Sequence, residues 1–131
     1  MKYLADYTEE SISKTIKDNG GFFAFGQKQF DEAKKEGVKY VNLYGGLVCP
    51  KENAKNLLDG IENAHNEGVR QDLKDHTHKQ IIWRELANHE TQFDGELQNV
   101  YDALLSYPFT KDQIDSEYSD YYKHCCEKDL F

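Results

Sequence analysis

Val38-Lys39-Tyr40-Val41-Asn42-Leu43-Tyr44, then Gly45-Gly46, then Leu47-Val48-Cys49, is the stretch on which the fold turns. β-branched and aromatic residues fill both flanks. The Gly-Gly link between them supplies the positive φ that tight hairpin turns require, so the run reads as an antiparallel hairpin. A lone hairpin is marginal in water and must pack on helices. The short apolar run Phe22-Phe23-Ala24-Phe25 is available to it as a third strand.

Outward from the hairpin the chain reads as helix. Thr8 with Glu9 and Glu10 makes a helix start, a capping oxygen followed by acids that meet the helix dipole. Asn19-Gly20-Gly21 stops that helix, and a second short one is predicted over 27–36 with Phe30 and Ala33 inward. Beyond the hairpin, Pro50 suits a first helical turn. Ala54, Leu57, Leu58, Ile61 and Ala64 then recur at helical spacing up to Gly68, which is expected to end the helix. The next helix is predicted over 69–88. Leu97, Val100, Tyr101, Leu104 and Leu105 form another stripe, broken by Tyr107-Pro108. Thr110-Lys111-Asp112-Gln113 is a capping box that opens an acidic, tyrosine-rich helix over 110–128. The expected fold class is α+β: mostly helical, about six helices packed on a small antiparallel β-hairpin or three-stranded sheet.

A chain of 131 residues sits near the commonest domain size, so a single domain over 1–131 with one core is expected. Its apolar share is 38% and it carries 17 aromatics, too many for a disordered chain. No apolar run approaches the ~20 residues that span a bilayer. The start, Met1-Lys2-Tyr3-Leu4-Ala5-Asp6, lacks the apolar stretch of a secretory signal. Cys49, Cys125 and Cys126 are an odd number without CxxC spacing, which fits reduced thiols in a cytoplasm.

Net charge is −8 and uneven. Residues 1–40 balance at seven basic and seven acidic side chains, and residues 41–90 carry six against eight. Residues 91–131 carry three against nine. Such a surface repels phosphate and attracts basic partners, so direct nucleic-acid binding is disfavoured. Acids and phenols held together can occupy a groove built for phosphates and bases, since they offer the same charge sign and the same stacking faces. Asp112, Asp115, Glu117, Asp120 and Tyr122 are the candidate contact residues on that reading. A second reading is a small-molecule or signal-nucleotide pocket between hairpin and helices, lined by Phe25, Tyr40, Tyr44, Trp83 and His89.

Other constellations are weaker. His76 and His78 are two apart and cannot share a helix face, while Glu85 and His89 are four apart but lack the second histidine of a zinc-hydrolase motif. Solvated helical histidines explain them. Cys125 and Cys126 have His124 beside them but also Glu127 and Asp129, whose charge raises a thiol pKa. No catalytic residue, metal or cofactor is assigned, and the chain is expected not to be an enzyme.

Gly21-Phe22-Phe23-Ala24-Phe25-Gly26-x-x-Gln29-Phe30 and, later, Glu85-Leu86-Ala87-Asn88-His89-Glu90 resemble a family of small, uncharacterised proteins carried by phages and mobile elements of gut bacteria. That family has an FFAF(S/G)xxQF segment after a first helix, a glycine-rich hairpin and an E-L-x-N/D-H-E segment. The likeness covers roughly residues 20–105, and the acidic C-terminal tail here is longer. It implies an accessory product of a mobile element in a bacterial cytoplasm. Small acidic proteins of that kind often inhibit host defence, among them anti-CRISPR proteins that occlude a nuclease's basic nucleic-acid channel. The implied partner is a basic host protein or nucleoprotein such as a Cas nuclease.

Overall fold

The hairpin forms around its two glycines. In the computed structural model, which describes residues 1–131, β2 (Tyr40–Tyr44) and β3 (Leu47–Pro50) pair antiparallel across Gly45 and Gly46, at φ 55° and 81°. β1 (Phe22–Phe23) joins the other side of β3, giving the order β1-β3-β2. The register slips between Asn42 and Tyr44, a bulge at the turn end of β2. Seven α-helices complete a chain that is 66% helical, the α+β class that the patterning predicts.

The chain divides into two compact units, Ala5–Gly68 and Met1–Leu4 with Val69–Phe131. In the first, α1 (Leu4–Asp18), the sheet and the first part of α3 (Ala54–Asp75) enclose Leu47, Cys49 and Leu57. Ile16, Val41, Leu43, Ala54 and Ile61 pack around them. Alternation along the strands puts Val41 and Cys49 on this side and Asn42 and Val48 on the other. α2 (Gln27–Ala33) supplies Phe30, which meets Phe22 and Tyr40 in an aromatic cluster with ring centroids 5.5–6.3 Å apart.

The second unit takes the remainder of α3 with α4 (His78–Asn88), α5 (Thr91–Asp94), α6 (Gln98–Ala103) and α7 (Lys111–Lys128). Its core is Val69, Ile81, Ile82, Leu86, Val100, Leu104, Tyr107, Ile114, Tyr121 and Cys125. Beside this core lies a charged cluster. Asp72 is wholly buried and receives Arg84 through two bonds of 2.9 Å, one to each carboxylate oxygen. His76 Nδ1 stands 2.9 Å from the same carboxylate, and the Tyr107 hydroxyl donates to it. Arg84 also bonds Glu85 and the Lys2 carbonyl, each at 3.0 Å. No buried side-chain polar atom lacks a partner.

Several boundaries differ from the sequence reading. α1 begins at Leu4 rather than Thr8, and α2 ends at Ala33 rather than Glu36. α3 runs through Gly68 to Asp75. The break falls at Thr77, whose side chain and Gln80 form a capping box for α4. The predicted Leu97–Leu105 stripe shortens to α6, and Leu105 is 78% exposed because the chain has left the helix before it.

Candidate partner-binding face

α7 forms where the capping box predicts. Thr110 Oγ1 accepts from Gln113 N–H at 3.1 Å and the Gln113 side chain accepts from Thr110 N–H at 2.8 Å. Ile114, Tyr121 and Cys125 face the core, which turns the acids outward at different azimuths. At about 100° per residue, Asp115 and Tyr122 fall on one side of the helix and Glu117 and Asp120 on the other. The five residues singled out by sequence are therefore not one surface.

On the first side, Asp115 accepts the hydroxyl proton of Tyr101 from α6. That bond, some burial, and the charges of Asp115 and Glu96 push the Tyr101 phenol up to about 12. Tyr118 is also pushed up, first by burial and then by Tyr122, Asp94 and Cys125. Asp94 and Glu96 flank Gly95, whose φ of 67° turns the chain back toward α7. A side chain there would come within 3.5 Å of the Tyr118 hydroxyl. Asp94 Oδ1 also accepts from Glu96 N–H at 2.9 Å, so these acids shape the turn as well as charging it. Tyr118 and Tyr122 lie with ring centroids 6.2 Å apart beside a shallow hollow of about 440 Å³ that they share with Ser119 and Lys123. Lys111 Nζ sits 5.0 Å from the centre of the Tyr101 ring. The result is one side of α7 on which carboxylates stand among phenol rings and a cation rests on one ring.

The other side is more committed internally. Glu117 is half-buried and accepts the Trp83 indole N–H at 2.7 Å. Asp112 and Glu117 border a hollow of about 330 Å³ with His78, Lys79 and Phe109, and Lys79 Nζ lies 4.7 Å from the Trp83 ring centre. Asp120 is exposed.

The residues of the alternative pocket are divided between the two units. Phe25 and Tyr40 line an open groove of about 570 Å³ over the sheet and α2, together with Gln27, Phe30, Asn42 and Val48. Phe25 lies against Gly46, where an added Cβ would stand 2.6 Å from its ring and force the ring aside. Tyr44, at the turn end of β2, is 56% exposed. Trp83 and His89 belong to the Val69–Phe131 unit. Trp83 packs edge-on against Tyr121, and His89 Nε2 stands 3.7 Å from Glu85. His76 and His78 are also engaged, the first with Asp72 and the second with the Phe109 ring. All three cysteines are free; burial raises the Cys49 thiol.

Asp94, Glu96, Tyr101 and Tyr118 also belong to this side of α7, and patterning along the chain does not single them out. The signal was partial: Asp94-Gly95-Glu96 is a turn bearing two acids, but its approach to α7 is tertiary.

The chain matches, over residues 4–128, the model of a family of unknown function, DUF7659, and belongs to that family. No curated protein and no solved structure matches it.

Proposed function

We propose that the chain acts by binding rather than catalysis, as an inhibitor of the anti-CRISPR kind that seats one side of α7 in the basic nucleic-acid channel of a host defence nuclease. The observation that carries this reading is the grouping of Asp94, Glu96 and Asp115 with the rings of Tyr101, Tyr118 and Tyr122. A channel that holds nucleic acid does so with Lys and Arg on phosphates and with flat faces on bases. Carboxylates and phenols in alternation meet both. Lys111 over Tyr101 is the same contact made within the chain, and a partner's lysine or arginine would take its place or add to it. The sequence resemblance to proteins of phages and mobile elements supplies the biological setting.

The test is inhibition of DNA cleavage by purified, guide-loaded nucleases from a bacterial host, with binding measured in parallel. The unaltered chain is expected to bind one of them and suppress cleavage. Asp115→Lys combined with Glu96→Lys is expected to abolish both effects, while Asp120→Lys on the other side of α7 leaves them in place. Equal binding by all three proteins would remove this side of α7 from the account.

A second reading has one observation in its favour, the groove holding Phe25 and Tyr40, whose volume is that of a small-molecule site. None of its lining residues is charged, so it suits an uncharged planar ring. Thermal stabilisation by a panel of nucleobases and related rings tests it.

A further inference from the structure

We infer that β2 is a self-association edge: two chains pair β2 against β2 of the second copy, antiparallel, about a two-fold axis at Asn42. Three independent features of the strand converge on this. The first is an unsatisfied backbone. Lys51 N–H donates to the Lys39 carbonyl at 2.8 Å, which makes Lys39 and Lys51 a hydrogen-bonded pair. Such pairs alternate along an antiparallel ladder, so Val41–Cys49 is the next one. Pro50, which has no N–H, stands opposite Tyr40 accordingly. The N–H and C=O of Tyr40 and Asn42 thus point away from β3 to the outer edge of the sheet, where no further strand lies.

The second feature is the sequence of the strand. Tyr40-Val41-Asn42-Leu43-Tyr44 reads the same in pattern from either end: aromatic, aliphatic, amide, aliphatic, aromatic. A two-fold interface places residue i opposite j and j opposite i. Centred on Asn42, it sets Tyr40 against Tyr44, Val41 against Leu43, and the two Asn42 side chains against each other. The centre falls on a residue whose backbone groups face outward, so this register closes the two hydrogen bonds between the Asn42 residues; Tyr44, past the bulge, is paired with Leu47 across the turn and adds none.

The third is charge. Tyr40–Pro50 is the longest run of the chain without a charged side chain, in a protein of net charge −8. Exposed edges are ordinarily protected by lysine, proline or inward charges, and β2 has none between Tyr40 and Tyr44. Two chains that repel elsewhere meet here without like charges opposed. The bulge after Asn42 keeps the paired segment short, and the far edge, β1, has only two residues, so the joined sheet closes at six strands instead of growing.

The experiment is light scattering of the full chain over micromolar to millimolar concentration. The unaltered chain is expected to reach twice its 15.2 kDa. Asn42 is exposed, so Asn42→Lys and Asn42→Asp leave the fold intact, which far-UV circular dichroism checks. Each variant alone puts like charges together across the axis and is expected to stay monomeric where the parent is dimeric. Mixed in equal amounts, the two are expected to form a heterodimer, because opposite charges then meet. A monomeric parent at every concentration overturns the inference. So does a dimer indifferent to both substitutions, or a mixture that recovers no dimer. The readout is independent of nuclease binding by α7, so failure of one account leaves the other standing.

Discussion

Arg84→Met breaks the buried charge cluster of the Val69–Phe131 unit at its centre. Asp72, with no exposed surface, would lose both guanidinium bonds and retain only His76 and Tyr107. Removing one partner of a buried ion pair costs about 3–5 kcal/mol, because the other is left in a poor solvent for charge. The Lys2 carbonyl loses its donor as well, a further ~1 kcal/mol. Against a typical domain stability of about 5–15 kcal/mol, the variant should be marginal or unfolded. The double variant Arg84→Met with Asp72→Leu removes the two paired charges and should recover part of the loss, since only Glu85, which keeps His89 at 3.7 Å, then lacks its guanidinium partner. Urea titration followed by Trp83 fluorescence reads this directly: Trp83 is the only tryptophan and belongs to the affected unit. A single variant within about 1 kcal/mol of the parent, or a double variant worse than the single, would refute the claim that this cluster holds the unit together.

The same cluster sets an acid limit. Burial pushes the Asp72 carboxyl up, but its bonds from Arg84, Tyr107 and His76 and the guanidinium charge outweigh that and hold it below its ordinary value. The stability it contributes is therefore complete above the ordinary carboxylate pKa, near 4, and is lost as pH falls through the depressed folded value. Urea midpoints below pH 4 should fall more steeply for the parent than for Arg84→Met with Asp72→Leu. Thr77→Ala should cost about 1 kcal/mol in the same fluorescence assay, because it removes the cap of α4; no change would place the helix break elsewhere. Gly60→Ala should destabilise despite the gain in helix propensity, since its Cβ would meet Thr15 Cγ2 at 2.5 Å. Adding Thr15→Ser, which deletes that methyl, should restore the thermal midpoint.

The hairpin was legible because Gly45-Gly46 stands between β-prone runs, where composition and turn chemistry agree. α7 was legible for the same kind of reason, with Thr110 and Gln113 at capping-box spacing. Gly68 misled because a glycine looks alike inside a helix and at its end. The cost of about 1 kcal/mol for an interior glycine is covered here by a helix of 22 residues that buries Leu57 upstream and Val69 just after it. The real stop, Thr77 with Gln80, carried the same signature as Thr110 with Gln113 but was hidden among neighbouring histidines read for metal. Asp72 and Arg84 are twelve residues apart on successive helices, and no periodicity announces such a pair. The candidate face was half legible: the acids of α7 are plain in the sequence, but their division between two sides depends on which residues the core claims. Asp94 and Glu96 reach the face only through the turn at Gly95.

The central claim, that the Asp115 side of α7 binds a basic nucleic-acid channel, is tested most directly by the salt dependence of its affinity for purified, guide-loaded nucleases. The account predicts binding that weakens steadily as salt rises, a shallower slope and lower affinity for Asp115→Lys with Glu96→Lys, and loss of binding when the channel is already filled with its DNA. Affinity indifferent to salt, to those two reversals and to bound DNA would contradict it.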